Sequence, residues 1–401
     1  MSTERLYYLD SHLTEFDARV VSVGRDAEGR SAVRLDRTAF YPEGGGQPSD
    51  TGSLGAARVV ACVDEEGVLH LLEGETPEVG ARVRGRVDWP RRRDHIQQHT
   101  GQHILSQAFV ELFGAQTRSF RMLSEVCEID VDLKEPSDSA VERAVDRANE
   151  IVWDDRPVLV HQVTPEEAGR LPLRKDSARE GTLRVIEIEG FDFSPCGGTH
   201  ARRTGEVGVI AVRHWERAKG LTRVTFAAGG RALSDYRRAN RTARAAAALF
   251  SVGRDEADSA VARLLEEHKQ LQRRARALEE RAARAEAREL IEETAAGEAA
   301  TPPVVTRLFE GRDADGLRRL ALAVVARTDA VALLGSRDET GARLVFARGA
   351  ASRADMNALM REACLTLGGR GGGRPDLAQG GGPRADLLPQ ALDAAARRAS
   401  E

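Results

Sequence analysis

The stretch VDWPRRRDHIQQHTGQHILSQAFVELF, residues 87–113, divides the chain into two textures. From Trp89-Pro90 onward the apolar period is helical, with Ile96, Ile104, Leu105, Ala108 and Leu112 recurring together with Gly101. Upstream, residues 1 to about 90 hold short runs: LYYLD, ARVVSVG, SAVRLDRT, ARVVACV, GVLHLLEG and ARVRGRVD. They are alternating or β-branched, and Gly, Asp, Glu and Pro part them every roughly 8–12 residues, which predicts a small barrel or sandwich. Downstream, strand-like SEVCEIDVDL, VLVHQV, TLRVIEIE, VGVIAVRHWE and LTRVTFAAG alternate with helical pattern over about 137–152, an α/β or α+β arrangement.

Beyond this centre the composition shifts. From about 232 to 290 the chain is Ala, Arg, Glu and Leu. Val261, Leu264, His268, Leu271, Ala275, Leu278 and Ala282 fall at alternating spacings of three and four, a heptad-like seam. Such a seam over 254–289 suggests a homodimer; one long solvated helix is the plainer reading. TAAGEAATPP, 294–303, reads as a turn cluster or linker. A third unit follows, with strands at VVTRLFE, AVALLGS and RLVFARG. Its helices are expected over 315–326 and 353–367, the second opening with the capping-box-like pair Ser352 and Asp355. GGRGGGRPDLAQGGG then leads to a last Arg- and Ala-rich helix.

The 401 residues carry 59 Lys+Arg against 63 Asp+Glu, net −4, which excludes a uniformly basic nucleic-acid binder while leaving room for a local basic face. MSTERLYYLD has no apolar core of signal-peptide length, and no apolar run approaches the roughly 20 residues of a membrane helix. The expected compartment is the cytoplasm, with no membrane partner. Four Cys in a chain of this length do not make a disulfide scaffold, so Cys near His raises the question of metal.

Two couples at spacing four carry the chemistry: His99-Thr-Gly-Gln-His103 and Cys196-Gly-Gly-Thr-His200. Spacing of four places both imidazoles of a helical pair on one face. Three imidazoles and a thiolate suit zinc. His95 is also four residues from His99, and periodicity does not choose between the two pairs. Four protein ligands describe a closed structural site; catalytic zinc usually keeps an open position. A second motif is FYPEGGGQPSDTG, 40–52, with Glu43, Gln47 and Asp50 around three glycines; read alone it is a decorated hairpin turn. The third is 368–382, where backbone N–H groups with Arg370 and Arg374 suit phosphate. It is neither a Walker A loop nor a dinucleotide fingerprint, and its plainer reading is a flexible linker.

Together HTGQH, CGGTH and FYPEGGGQPSDTG resemble the free-standing alanyl-tRNA editing proteins, the AlaX family, and the editing domain of alanyl-tRNA synthetase. The tail resembles the DHH-associated domain that ends those synthetases and the long AlaX proteins. The resemblance covers nearly the whole chain. It implies an α+β multidomain chain: an amino-terminal β-barrel (1–90), a zinc-containing α/β editing domain (91–231), a long helical, coiled-coil-like segment (232–293) and a DHH-associated α/β domain (303–401). It assigns the Zn2+ ligands to His99, His103, Cys196 and His200, leaving His95 outside. Thr38 takes the place of the residue that senses a serine hydroxyl, and Gln47 lines the same pocket. The implied activity is deacylation of Ser-tRNA(Ala), with Gly-tRNA(Ala) as a second candidate substrate.

No aminoacylation segment precedes residue 1, so hydrolysis without charging is expected. Glu43 is the candidate general base. Basic groups for tRNA are sought at Arg91–Arg93, Arg118, Arg121, Arg223, Arg231, Arg370 and Arg374. The competing readings are a dimeric tRNA-binding module with structural zinc, and a deacylase of another mischarged tRNA such as Ser-tRNA(Thr). Alanine selection explains why such an enzyme exists: an added hydroxyl is rejected only about 100-fold by an apolar pocket, so a second hydrolytic sieve is needed.

Overall fold

The structure, a computed structural model, describes residues 3–174, 181–295 and 302–401. These form two compact units, Met1–Leu249 and Phe250–Glu401.

The first unit opens with β1 (Glu4–Arg5), β2 (Glu15–Arg25), β3 (Ser31–Leu35), β4 (Arg37–Thr38), β5 (Gly52–Leu54), β6 (Ala57–Asp64), β7 (Val68–Glu73) and β8 (Arg82–Val87). β1 and β4 make a two-residue parallel pair. The others close an antiparallel barrel in the order β2-β3-β7-β6-β5-β8. Alternation along β2 sends Phe16, Ala18 and Val20 inward to meet Val33, Phe40, Leu54 and Val68. Gly85 is required here, because a Cβ would lie 2.4 Å from the Phe16 ring. LYYLD is not a strand: Leu6–Tyr8 form one 3-10 turn, with Tyr7 buried.

Then come α1 (Trp89–Phe113), β9 (Thr117–Met122), β10 (Cys127–Val131), α2 (Asp138–Trp153), β11 (Val158–Val163), α3 (Pro165–Ala168), β12 (Leu183–Ile188), β13 (Asp192–Pro195), β14 (Ile210–Ala218), β15 (Leu221–Ala228) and α4 (Gly229–Leu249). Two antiparallel sheets result, β14-β15-β10-β9 and β11-β12-β13. α1 ends at Gly114, whose φ of 65° supplies the left-handed cap. Ile96, Ile104, Leu105, Ala108 and Phe109 join the core beneath Ile129, Val224 and Phe226. Eight polar side chains of the same helix are also buried: Arg92, His95, Gln98, His99, Thr100, Gln102, His103 and Ser106. Buried polar groups need partners, and those partners form the site.

The second unit begins with the 39-residue α5 (Ala257–Ala295), then β16 (Val304–Glu310), α6 (Ala314–Arg327), β17 (Val331–Asp338), β18 (Gly341–Arg348), α7 (Met356–Thr366), β19 (Arg370–Arg374), β20 (Leu377–Gly382) and α8 (Leu388–Ala399). The sheet runs β16-β17-β18-β20-β19, parallel only between β16 and β17. Period two divides it cleanly. Leu333, Leu344 and Phe346 pack under α7 and α8, while Leu334, Val345 and Ala347 pack with α6 and with Ala287 and Leu290 of α5.

Three sequence expectations change here. The helical stretch over 232–293 is two helices, broken by a 3-10 turn at Arg254–Glu256. The helix expected from Arg353 starts at Met356, because Asp355 is its cap and accepts the N–H groups of Asn357 and Ala358. The Gly-rich tail is a β-hairpin, not a linker. Gly371 and Gly380 face each other under α7, where a Cβ on either would come within 2.6 and 2.4 Å of Cys364 Sγ. Residues 296–301 of the turn cluster expected at 294–303 lie outside the described residues.

Candidate metal centre

α1 places His99 and His103 one turn apart, ring centroids 5.4 Å from each other. β13 delivers Cys196 just past its end, and His200 follows. One ligand atom from each of His99, His103, Cys196 and His200 lies within 4.8 Å of the other three, so the group can hold a metal ion. Cys196 Sγ is 3.3 Å from His99 Nε2 and 3.4 Å from His200 Nε2. The glycines of CGGTH have a steric reason: a Cβ on Gly198 would lie 2.1 Å from His99 Cε1. Only glycine lets the backbone cross that ring.

The outward Nδ1 of every imidazole meets an oxygen. His99 Nδ1 meets Gln47 Oε1 at 2.7 Å, His103 Nδ1 meets Asp192 Oδ2 at 3.2 Å, and His200 Nδ1 meets Thr100 Oγ1 at 3.3 Å. Such partners turn Nε2 inward as the free ligand atom. Gln47 is locked in turn, donating to Thr199 Oγ1 (2.9 Å) and accepting from Thr199 N–H (3.3 Å). Asp192 is buried and takes Ser194 Oγ at 2.9 Å and Arg174 Nε at 2.9 Å. Burial opposes its charge, yet Arg174 and His103 outweigh that and hold its carboxyl below the usual range.

Burial likewise opposes the Cys196 thiolate. The imidazoles of His99 and His200, with hydrogen bonds from His103 and His200, overcome it and keep the thiol well below its ordinary pKa. Burial brings His200 down to about 3, so its imidazole is neutral. A low thiol pKa and a neutral His200 ring favour cation binding; at His103 burial is outweighed by the hydrogen bonds to Asp192 and Cys196, which raise its pKa instead.

The centre is the floor of a cleft of about 780 Å3 within the first unit, lined in part by Tyr8, Tyr41, Glu43, Gln102, Phe120 and Arg184. Tyr8 lies under the guanidinium of Arg184, 5.2 Å from centroid to Cζ. Arg184 fastens the ligand loop by donating Nη1 to the carbonyls of Cys196 (2.7 Å) and Gly198 (2.9 Å).

The barrel reaches this floor through residues 40–52. Gly45 and Gly46 adopt φ of 58° and 82°, and a Cβ on Gly46 would strike the Phe120 carbonyl at 2.5 Å. Asp50 and Arg92 form a fully buried ion pair. Arg92 also donates to the carbonyls of Ser11 and Ala39, each at 2.6 Å, and Asp50 takes Tyr41 N–H at 2.7 Å.

Glu43 is exposed at the cleft wall. Gln47 stands behind His99 and does not line the cleft. Thr38 is wholly buried inside the barrel; its hydroxyl meets His70 Nε2 at 2.8 Å and takes Phe40 N–H at 3.1 Å. His95 is buried on α1 outside the four-residue group. The basic runs are largely neutralised: Arg92 is in the core, and Arg118, Arg121, Arg223 and Arg231 pair with Asp132, Glu128, Asp130 and Asp94. Arg370 and Arg374 are exposed on β19 of the second unit. Sequence reading missed Asp192, Thr100 and Arg184. Each is a single residue whose partner is remote in the chain, so no local spacing marks it.

Residues 183–225 match the "Threonyl and Alanyl tRNA synthetase second additional domain" and residues 301–401 match the "DHHA1 domain". The chain is 32% identical to the alanyl-tRNA editing protein AlaX-L of Pyrococcus horikoshii, over 97% of this chain and 96% of that protein. It therefore belongs to the AlaX family of alanyl-tRNA editing proteins. It is also 37% identical to the alanine–tRNA ligase of Natronomonas pharaonis and 33% to that of Methanoregula boonei, spanning 43% of either ligase. Among solved structures, the C-Ala domain of Aquifex aeolicus alanyl-tRNA synthetase matches 25% of this chain and 92% of that one, at 30% identity and a TM-score of 0.24.

Proposed function

We propose that the chain removes serine, and glycine as a second candidate, from mischarged tRNA(Ala) at a zinc centre held by His99, His103, Cys196 and His200. Family membership makes it an aminoacyl-tRNA deacylase; the amino acid, the tRNA and the metal are the proposal. The observation that carries it is the position of the cage at the floor of an open cleft. Tetrahedral zinc keeps nitrogen and sulfur ligands about 3.6 Å apart. The sulfur-to-nitrogen distances of 3.3 and 3.4 Å support that fit.

Bound zinc would supply Lewis acidity toward the ester carbonyl or its attacking water. The chain does the rest. Gln47, Asp192 and Thr100 hold the three imidazoles in register. Glu43, at the cleft wall, takes the proton of the attacking water as its oxygen bonds to the carbonyl carbon. The bond from that carbon to the ribose oxygen breaks, and the proton passes to this oxygen. The products are the free amino acid and tRNA with its terminal hydroxyl restored. Arg370 and Arg374 contact tRNA phosphate from the second unit. Exposed Leu264, Leu271 and Leu278 on α5 support a homodimer through 254–289. Functionally we divide the chain into 1–90, 91–231, 232–293 and 303–401. Among the described residues no helix is long and apolar enough to cross a membrane; the setting proposed is the cytoplasm.

The test is deacylation of Ser-tRNA(Ala) beside Ala-tRNA(Ala) by the wild type and by His103→Ala. Rapid loss of serine, spared alanine and an inactive variant are expected. A folded, zinc-loaded wild type that cleaves neither ester overturns the reading, in favour of a dimeric tRNA-binding module whose four ligands close the zinc shell. Cleavage of Ser-tRNA(Thr) instead moves it to another tRNA. Glu43→Gln is expected to lower kcat far more than tRNA affinity; equal losses remove Glu43 from the chemistry.

A further inference from the structure

Discrimination between serine and alanine at this cleft requires a group that pairs with a hydroxyl and is left unpaired beside a methyl. Most polar groups near the floor are already committed. Ser194 donates its hydroxyl to Asp192, Thr117 to Ser106 Oγ at 2.7 Å, Ser119 to Asp130 at 2.7 Å, and Tyr41 to the Gly44 carbonyl at 2.8 Å. Thr38 faces His70 inside the barrel.

Gln102 differs. It sits on α1 between the two histidines of HTGQH, three residues after His99 and next to His103, and it lines the cleft. Its Nε2 donates to Ser106 Oγ at 2.8 Å, which anchors the amide in place. Among the described residues nothing donates to its Oε1, and that atom is not among the polar atoms sealed from solvent without a partner. One end of a fixed amide is therefore open to the cleft. Turning the amide over would let Ser106 donate to Oε1 and leave Nε2 open in its place. A hydroxyl both gives and takes a hydrogen bond, so it matches either end; a methyl matches neither.

We infer that Gln102 is the specificity-determining residue of the site: its open amide end pairs with the side-chain hydroxyl of a seryl ester, and Ser106 and Thr117 hold it in position. The inference rests on the editing function proposed above. An alanyl ester entering the cleft strips water from the amide and gives nothing back, a penalty carried only by the wrong substrate.

The experiment compares kcat/KM for Ser-tRNA(Ala) and Ala-tRNA(Ala) in wild type, Gln102→Met and Thr38→Val, with zinc content measured on each. Methionine keeps the length and helix preference of glutamine without its polar end. For Gln102→Met the serine-to-alanine ratio falls about 5- to 150-fold, the span of one lost buried hydrogen bond, at unchanged zinc content. Equal loss for both esters assigns Gln102 to the α-amino group or to the shape of the helix, and overturns the inference. So does an unchanged ratio, or a ratio that collapses in Thr38→Val instead. If Gln102→Met does not fold, Ser106→Ala unties the amide without entering the cleft; the ratio then falls by less, and no fall overturns the inference. A wild type that spares Ser-tRNA(Ala) defeats the substrate reading and this inference with it. A wild type that cleaves it while Gln102→Met keeps the wild-type ratio defeats this inference alone.

Discussion

Two glycine-rich segments, 40–52 in the first unit and 368–382 in the second, look alike as sequence and do different work. In the first, glycine lets a loop cross Phe120 so that Gln47 can reach His99. In the second, glycine strips a hairpin of side chains so that α7 can lie directly on it. Neither is slack. Both are places where another element comes too close for a Cβ, and only the identity of that element separates a functional loop from a packed hairpin.

The hardest blow to the first segment is Asp50→Ala. It leaves the Arg92 charge buried without its partner, and a loss of about 3–5 kcal/mol in chemical denaturation is expected. A loss under 1 kcal/mol would make the loop a decoration on the barrel.

Acid probes the same wall through His70. Burial lowers its pKa to about 4, whereas an unfolded histidine takes its proton near pH 6.5. The unfolded chain thus binds the extra proton first, and stability is lost as pH falls from about 6.5 to 4, by roughly 3 kcal/mol in total. His70→Gln should flatten that slope in urea titrations; an unaltered slope would place the acid sensitivity elsewhere.

For the hairpin, Gly380→Ala drives a methyl into Cys364 and Gly371. A cost of about 1–3 kcal/mol is expected. It should appear in the unfolding of a chain whose metal binding at the first unit is unchanged. Loss of metal in this variant would break the contrast between the two segments.

Gln47→Leu sharpens the contrast from the other side. Freeing Nδ1 of His99 should weaken metal binding about 10- to 100-fold in a chelator competition, with little change in melting of the metal-free protein.

The smallest effect expected is at the hairpin surface. Replacing Arg370 and Arg374 by Ala should lower the slope of log affinity for tRNA against log salt by about 1 to 2. An unchanged slope removes this strand from the RNA contact.

What could be read ahead followed from local spacing. The cage was legible because its members come in two couples four residues apart, a distance a helix or a tight loop converts directly into proximity. Barrel strands were legible from alternation, and β16, β17 and β18 of the second unit as short apolar runs, without the two faces they pack. Asp50 was seen but not its partner, since Arg92 looked like one member of a surface run. Asp192 was invisible, a lone carboxylate 89 residues from the ring it orients. LYYLD misled because one turn of 3-10 helix buries Tyr7 and leaves Tyr8 half-buried at the cleft, which alternation does not distinguish from a short strand. The hairpin was hidden because composition reports missing side chains and not what fills their place.

The bond from Gln47 to Thr199 closes a span of 152 residues, and that from Cys196 to His99 a span of 97. Closures of this length are slow and entropically costly. During synthesis the cleft has no floor until His200 has left the ribosome, so the cage cannot close before about half of the chain has been made. Until then Cys196 has no imidazole beside it, and the newborn chain carries an ordinary thiol.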